Sequence, residues 1–119
     1  MKIKVAATQM SCTWEIEENI SKASNLIKKA AGMGANIILL QELFQTPYFC
    51  IQYDEEIFKL AQTFEKNETL EHMAKLAKEL KVVLPISFFE KDNNAYFNSI
   101  AVINSDGNIL GVYRKSHIP

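Results

Sequence analysis

Along the front of the chain the hydrophobic positions run in three different periods, and each predicts an element. Residues 2–9 alternate charged or polar side chains with apolar ones and read as a first strand. After a short loop at 11–14, residues 15–33 switch to a helical period, with Ile16, Ile20, Ala23, Ile27 and Ala30 on one face. Glu15, Glu17 and Glu18 crowd the first turn, where the helix dipole favours negative charge. Lys28 and Lys29 sit near the other end, and Gly32 and Gly34 can stop the helix. Residues 36–40 form a continuous apolar run too short for a helix, the pattern of a parallel strand covered on both faces. That run ends abruptly on Gln41 and Glu42.

A loop containing Pro47, Tyr48, Phe49 and Cys50 follows, then a short helical segment near 54–64. A second amphipathic helix runs to Lys81, with Asn67 as its N-cap and Leu70, Met73, Ala74, Ala77 and Leu80 on one face. Beyond it the pattern returns to that of strands: 82–90, a turn at Asp92, Asn93 and Asn94, 96–103, a turn around Asp106 and Gly107, and 109–115. The order strand, helix, strand, helix, strand, then a meander predicts an α/β layered fold with a sheet covered by helices on one face. There is no internal repeat, low-complexity tract or linker, so one domain or part of one is expected.

Composition narrows the function classes. With 119 residues, 48% hydrophobic and 23% charged, the chain has the balance of a soluble globular protein. A net charge of -1 without a basic cluster leaves no electrostatic footprint for nucleic acid. No segment reads as a secretory signal or a bilayer span, so no membrane partner and a cytoplasmic location are expected. On that expectation the sequons at Asn19 and Asn67 are chance matches, and Cys12 and Cys50 are free thiols rather than a disulfide.

Two charged strand ends carry the candidate chemistry. Glu42 follows a buried-type parallel strand, where open α/β sheets place their ligands, and its neighbours Leu39, Leu40, Leu43 and Phe44 are expected to desolvate it. Lys115 ends the last strand in a basic pair with Arg114; such a pair alone reads as a solvated edge unless the fold brings it to Glu42. Tyr48 and Phe49 follow Glu42 closely enough to wall the same pocket, and the Tyr48 hydroxyl is placed to meet a substrate. Asn98 reads as a structural hydrogen-bonding residue, and His72 and His117 as surface or loop histidines without a triad partner.

Six segments in order, VAATQM (5–10), GANIILLQELF (34–44), TPYFC (46–50), ISFFE (86–90), YFNSIAVI (96–103) and GVYRKSHIP (111–119), resemble the nitrilase, or carbon-nitrogen hydrolase, superfamily. The resemblance covers nearly the whole chain, and the joint occurrence of these segments is far more specific than any one of them. It implies part of a nitrilase-type α-β-β-α sandwich that hydrolyses a small-molecule amide or ureido compound through a cysteine nucleophile, without metal or organic cofactor. By motif match, Glu42 is the glutamate that takes and returns the thiol's proton, and Lys115 the lysine that stabilises the anionic tetrahedral intermediate. In the superfamily the cysteine motif lies downstream of the lysine motif, and a second glutamate is expected there too; neither Cys12 nor Cys50 matches. Residues 1–119 are therefore expected to be the amino-terminal portion of one hydrolase domain, inactive alone, and the intact enzyme a homo-oligomer. Two other readings stand beside this one: a non-catalytic α/β binding module using the Glu42 cleft, and a nucleophilic Cys50 with Glu42 as its base.

Overall fold

A computed structural model describes residues 1–50 and 55–116. Two groups of strands, one parallel and one antiparallel, build its sheet. β1 (Val5–Ala7) pairs in parallel with β2 (Ile37–Leu39). β3 (Leu84–Asp92), β4 (Ala95–Ile103) and β5 (Ile109–Arg114) form an antiparallel meander. A parallel bridge between Ile37 and Val83 joins the two groups edge to edge, through hydrogen bonds from Ile38 N to Val83 O (3.0 Å) and from Val83 N to Asn36 O (2.9 Å). The strand order thus runs from β1 through β2 and β3 to β5.

Two helices cover one face. α1 (Ile16–Gly32) buries Ala23 and Ile27, and α2 (Glu68–Leu80) buries Leu70, Met73, Leu76 and Ala77. They meet Ile38, Leu84, Ile86, Phe88, Ala101 and Ile103 from the strands, and Leu40 just past β2, in one apolar core. The dipole-favoured first turn of α1 holds Glu17 and Glu18; Glu15 precedes it as N-cap without a side-chain capping bond. α2 starts as its sequence signals, with Asn67 Oδ1 accepting the Leu70 N–H at 3.0 Å. α2 ends on Lys81 in the left-handed conformation (φ 58°).

The order of elements matches the sequence pattern, and the departures are local. β1 is shorter than 2–9 because its partner β2 spans only Ile37–Leu39. β3 continues to Asp92, since the hairpin needs only Asn93, at φ 54°, and Asn94 to reverse. The helical segment near 54–64 is a 3-10 helix at Glu55–Leu60, its expected start at Asp54 and the expected role of His117 lying outside the described residues. The expected covering of β2 is corrected. β2 is covered on one face only: Ile38 points into the helices, whereas Leu39 is 46% exposed on the open face. Among the described residues no helix is long and apolar enough to cross a membrane.

His72 is a surface histidine, as expected, and it makes one contact that its sequence did not signal. Its Nε2 lies 2.8 Å from Ser24 Oγ, linking α2 to α1. The Ser24 hydroxyl donates to Ile20 O at 2.8 Å, so its proton is committed and the imidazole is the donor in the pair. This is a strut between helices rather than a nucleophile and base.

Candidate active site

The face of the sheet opposite the helices carries the candidate chemistry. Immediately after β2 the chain turns through Leu43, a non-glycine residue at φ 51°, which costs about 1 kcal/mol of backbone strain. The turn is tied to β3: Ser87 Oγ accepts the Leu43 N–H at 2.9 Å, and Gln45 Nε2 donates to Ser87 O at 3.2 Å. Leu43 and Phe44 then bury their side chains, leaving Glu42 to project the other way.

On the far side of the same cleft, β5 delivers Lys115. Its main-chain N–H donates to Asn98 O of β4 at 2.8 Å. Its Nζ lies 3.1 Å and 3.3 Å from the two Glu42 carboxylate oxygens. Two strand-end charges separated by 73 residues are thereby paired. The side chains remain 36% and 38% exposed. Glu42 is thus less desolvated than expected: Leu43 and Phe44 turn into the core, while Leu39 and Leu40 line the cleft beside a carboxylate that solvent still reaches. A cleft of about 290 Å³ opens around the pair, walled by Leu39, Ile100 and Tyr113 with Ser87 and Asn98 at its base.

Tyr48 lies near this pair but is not among the residues that line its cleft. Its hydroxyl is pushed above the usual phenol range, first by a hydrogen bond with Cys50, then by burial and by the charge and hydrogen bond of Glu42. It stays a neutral donor beside the carboxylate. Phe49 turns away to pack on Phe89, with ring centroids 5.0 Å apart. Cys12 lies off the site, its thiol donating to Phe44 O at 3.2 Å, and burial pushes its pKa up. Cys12 and Cys50 are both free thiols.

Asn98 differs from its expected role. Its main chain supports Lys115, but its buried carboxamide Nδ2 has no hydrogen-bond partner among the described residues. Sequence reasoning missed Ser87, because a serine inside a strand pattern carries no signal that a loop distant in sequence needs an acceptor. It also missed Glu90. This carboxylate is buried (4% exposed), accepts from Ser99 Oγ at 2.8 Å, and pairs with Arg114 through two 2.9 Å bonds. The Arg114 bonds hold its pKa below the ordinary carboxylate range against the opposing effect of burial.

Residues 4–119 match the carbon-nitrogen hydrolase family, and the chain belongs to it. The chain is 49% identical over 118 residues to the N-carbamoylputrescine amidase of Arabidopsis thaliana, aligning over 99% of this chain and 40% of that protein. It is 46% identical over 117 residues to the citrullinase of Francisella tularensis, over 98% of this chain and 41% of that protein. The crystal structure of a carbon-nitrogen hydrolase from Helicobacter pylori G27 superposes with a TM-score of 0.89 at 36% identity, covering 98% of this chain and 40% of that one. The chain thus spans about 40% of the length of the curated relatives it matches.

Proposed function

We propose that this chain carries the general base and the oxyanion-stabilising ammonium of a thiol-dependent amidohydrolase acting on the ureido group of N-carbamoylputrescine. The observation that carries the reading is the Glu42–Lys115 pair at 3.1 Å, held in an open cleft by strand ends distant in sequence. A thiol needs a base to become a thiolate, and a carboxylate fixed beside an ammonium serves both stages of acyl transfer. The nucleophilic cysteine is proposed to lie outside residues 1–119, and 1–119 alone is proposed not to turn over.

In this scheme the thiol gives its proton to Glu42 as its sulfur attacks the ureido carbon. The carbonyl oxygen becomes an oxyanion against Lys115. Glu42 returns the proton to the departing nitrogen, and water later releases the enzyme. The overall reaction consumes one water and yields the free amine, carbon dioxide and ammonia, so N-carbamoylputrescine gives putrescine for polyamine biosynthesis. Tyr48, a donor next to Glu42, orients the substrate. The intact enzyme is proposed to be cytoplasmic and homo-oligomeric.

Two relatives named for different compounds support the ureido group as the shared element. N-carbamoylputrescine and citrulline both carry a urea on an alkyl chain, and they differ at the far end. That far end also separates this reading from a β-ureidopropionase or omega-amidase type: a terminal ammonium needs a carboxylate or aromatic partner, a terminal carboxylate needs arginine or lysine. Ammonia release from N-carbamoylputrescine by the full-length protein tests the proposal. Glu42→Gln and Lys115→Ala are each expected to abolish turnover with the fold intact; turnover retained in either ends the assignment. Binding of the ureido compound with no turnover in the unaltered full-length protein would favour the non-catalytic binding module.

A further inference from the structure

Arg114 and Lys115 are consecutive, so strand alternation sends them to opposite faces of the sheet. Only one of them can meet Glu42. Which one does so depends on the register of β5, and burial specifies that register weakly, because five of the six residues of β5 are exposed.

The pairing of β5 contains one irregularity. Ile109 stands opposite Ile103, but Gly111 stands opposite Val102, leaving Leu110 as an extra residue in the strand. This is a β-bulge, and bulges re-aim the side chains beyond them. A straight β5 would move every later residue back by one position. Arg114 would then oppose Asn98 and face the cleft, and Lys115 would leave it. Leu110 is 66% exposed, so its own packing gives little reason for the bulge.

The reason lies on the helix-side face. In the bulged register Arg114 stands opposite Ser99 and reaches Glu90 with Nε and Nη2, each at 2.9 Å. Nη2 also donates to Asp92 at 2.9 Å, and the guanidinium lies 4.0 Å from the Phe97 ring centroid. A planar, bidentate, ring-stacking socket accepts arginine and fits the compact ammonium of lysine poorly. Glu90 is buried and Arg114 half-exposed; such pairs contribute little net stability, and selecting a register is the best-attested use of a buried polar group.

We infer that the Glu90 socket, by capturing Arg114, holds the Leu110 bulge and so aims Lys115 into the cleft with Glu42. Arg114 and Glu90 are positioning residues; neither touches the reacting atoms. The inference rests on the proposed role of Lys115 for its catalytic consequence, while its structural content is the register of β5.

Disulfide trapping in the full-length protein reads that register. Ile100→Cys with Tyr113→Cys reports the bulged pairing, since these residues are opposite each other. Ile100→Cys with Val112→Cys reports the straight pairing. With the socket intact only the first pair is expected to cross-link; adding Arg114→Ala or Glu90→Gln is expected to bring up the second. In the protein without added cysteines, Arg114→Ala is expected to lower kcat by on the order of 10²-fold with little change in KM. Arg114→Lys, which keeps the charge and loses the fork, is expected to lower it as well.

Deleting Leu110 separates aiming from general destabilisation. Without the extra residue the straight strand itself places Lys115 toward Glu42, so the deletion is expected to leave kcat unchanged alone and to restore it in Arg114→Ala. If Arg114→Ala and Glu90→Gln still trap only the first pair, the inference is overturned. It is equally overturned if the Leu110 deletion gives no rescue. Should Glu42→Gln or Lys115→Ala retain turnover, the catalytic reading falls, and the cross-linking still decides the register.

Discussion

The Ser87 hydroxyl accepts the main-chain N–H of Leu43 at 2.9 Å, joining the middle of β3 to the turn that presents Glu42. Leu43 is buried and in the left-handed region, so its amide has no route to water and its conformation needs an anchor. Ser87→Ala is expected to leave that amide unsatisfied and to lower stability by about 1–3 kcal/mol. The measurement is the denaturant midpoint. Full-length enzyme carrying the substitution is also expected to lose kcat, because the turn no longer holds the carboxylate against Lys115. Unchanged stability would mean that the turn is held by Leu43 and Phe44 packing alone.

The Tyr48 hydroxyl, near Glu42, has a pKa above the usual phenol range, chiefly through its hydrogen bond with Cys50. It therefore remains protonated through the neutral and mildly alkaline range, and no alkaline loss of activity is expected from it. Tyr48→Phe removes one donor without changing the ring, and kcat/KM is expected to fall about ten-fold, the size of one hydrogen bond. The result to look for is a pH profile of unchanged shape on a lower plateau. An alkaline limb that disappears in Tyr48→Phe would show that the phenol titrates and would reject this account.

Much of this architecture was legible because charged residues terminate apolar runs. Glu42 after 36–40 and Lys115 after 109–114 stand out as strand ends from the sequence alone, and Asn67 announces the start of α2. Their meeting was not legible. It depends on β2 and β3 joining through the Ile37–Val83 bridge and on one extra residue at Leu110, and neither leaves a periodic trace. The resemblance of GANIILLQELF and GVYRKSHIP to one superfamily linked the two ends before any geometry did. The open face explains the error about β2: an apolar run such as Ile37, Ile38 and Leu39 predicts two covered faces, yet the helices in this chain lie on one.

The N-cap of α2 offers a test of how local chemistry supports the core beneath the site. Asn67 is 3% exposed and its Oδ1 accepts from Leu70, itself a core residue. Asn67→Ala is expected to cost about 1 kcal/mol and to lower the thermal midpoint by several degrees. Asn67→Asp keeps an acceptor and places a negative charge at the helix N-terminus, so it is expected to retain most of the stability. Equal losses in the two variants would point to the buried volume of Asn67 instead of its capping bond.

Glu90 gives the fold a predictable response to acid. Its folded-state pKa is depressed, chiefly by the Arg114 hydrogen bonds and secondarily by Ser99, with burial acting in the opposite direction. A carboxylate depressed on folding contributes stability that is fully present above its unfolded pKa and is lost as pH falls through the folded one. Replacing Glu90 by glutamine is therefore expected to cost about 1–3 kcal/mol near neutrality. The low end of that range is favoured, because the Arg114 side chain is 40% exposed and partly screened by solvent. Denaturant midpoints of the two proteins, followed from neutral pH downward, are expected to converge below the ordinary carboxylate range. A gap that stays constant into acid would assign the loss to packing rather than to the ionised Glu90. Convergence would assign that stability to the ionised Glu90, whose two bonds hold the Arg114 guanidinium.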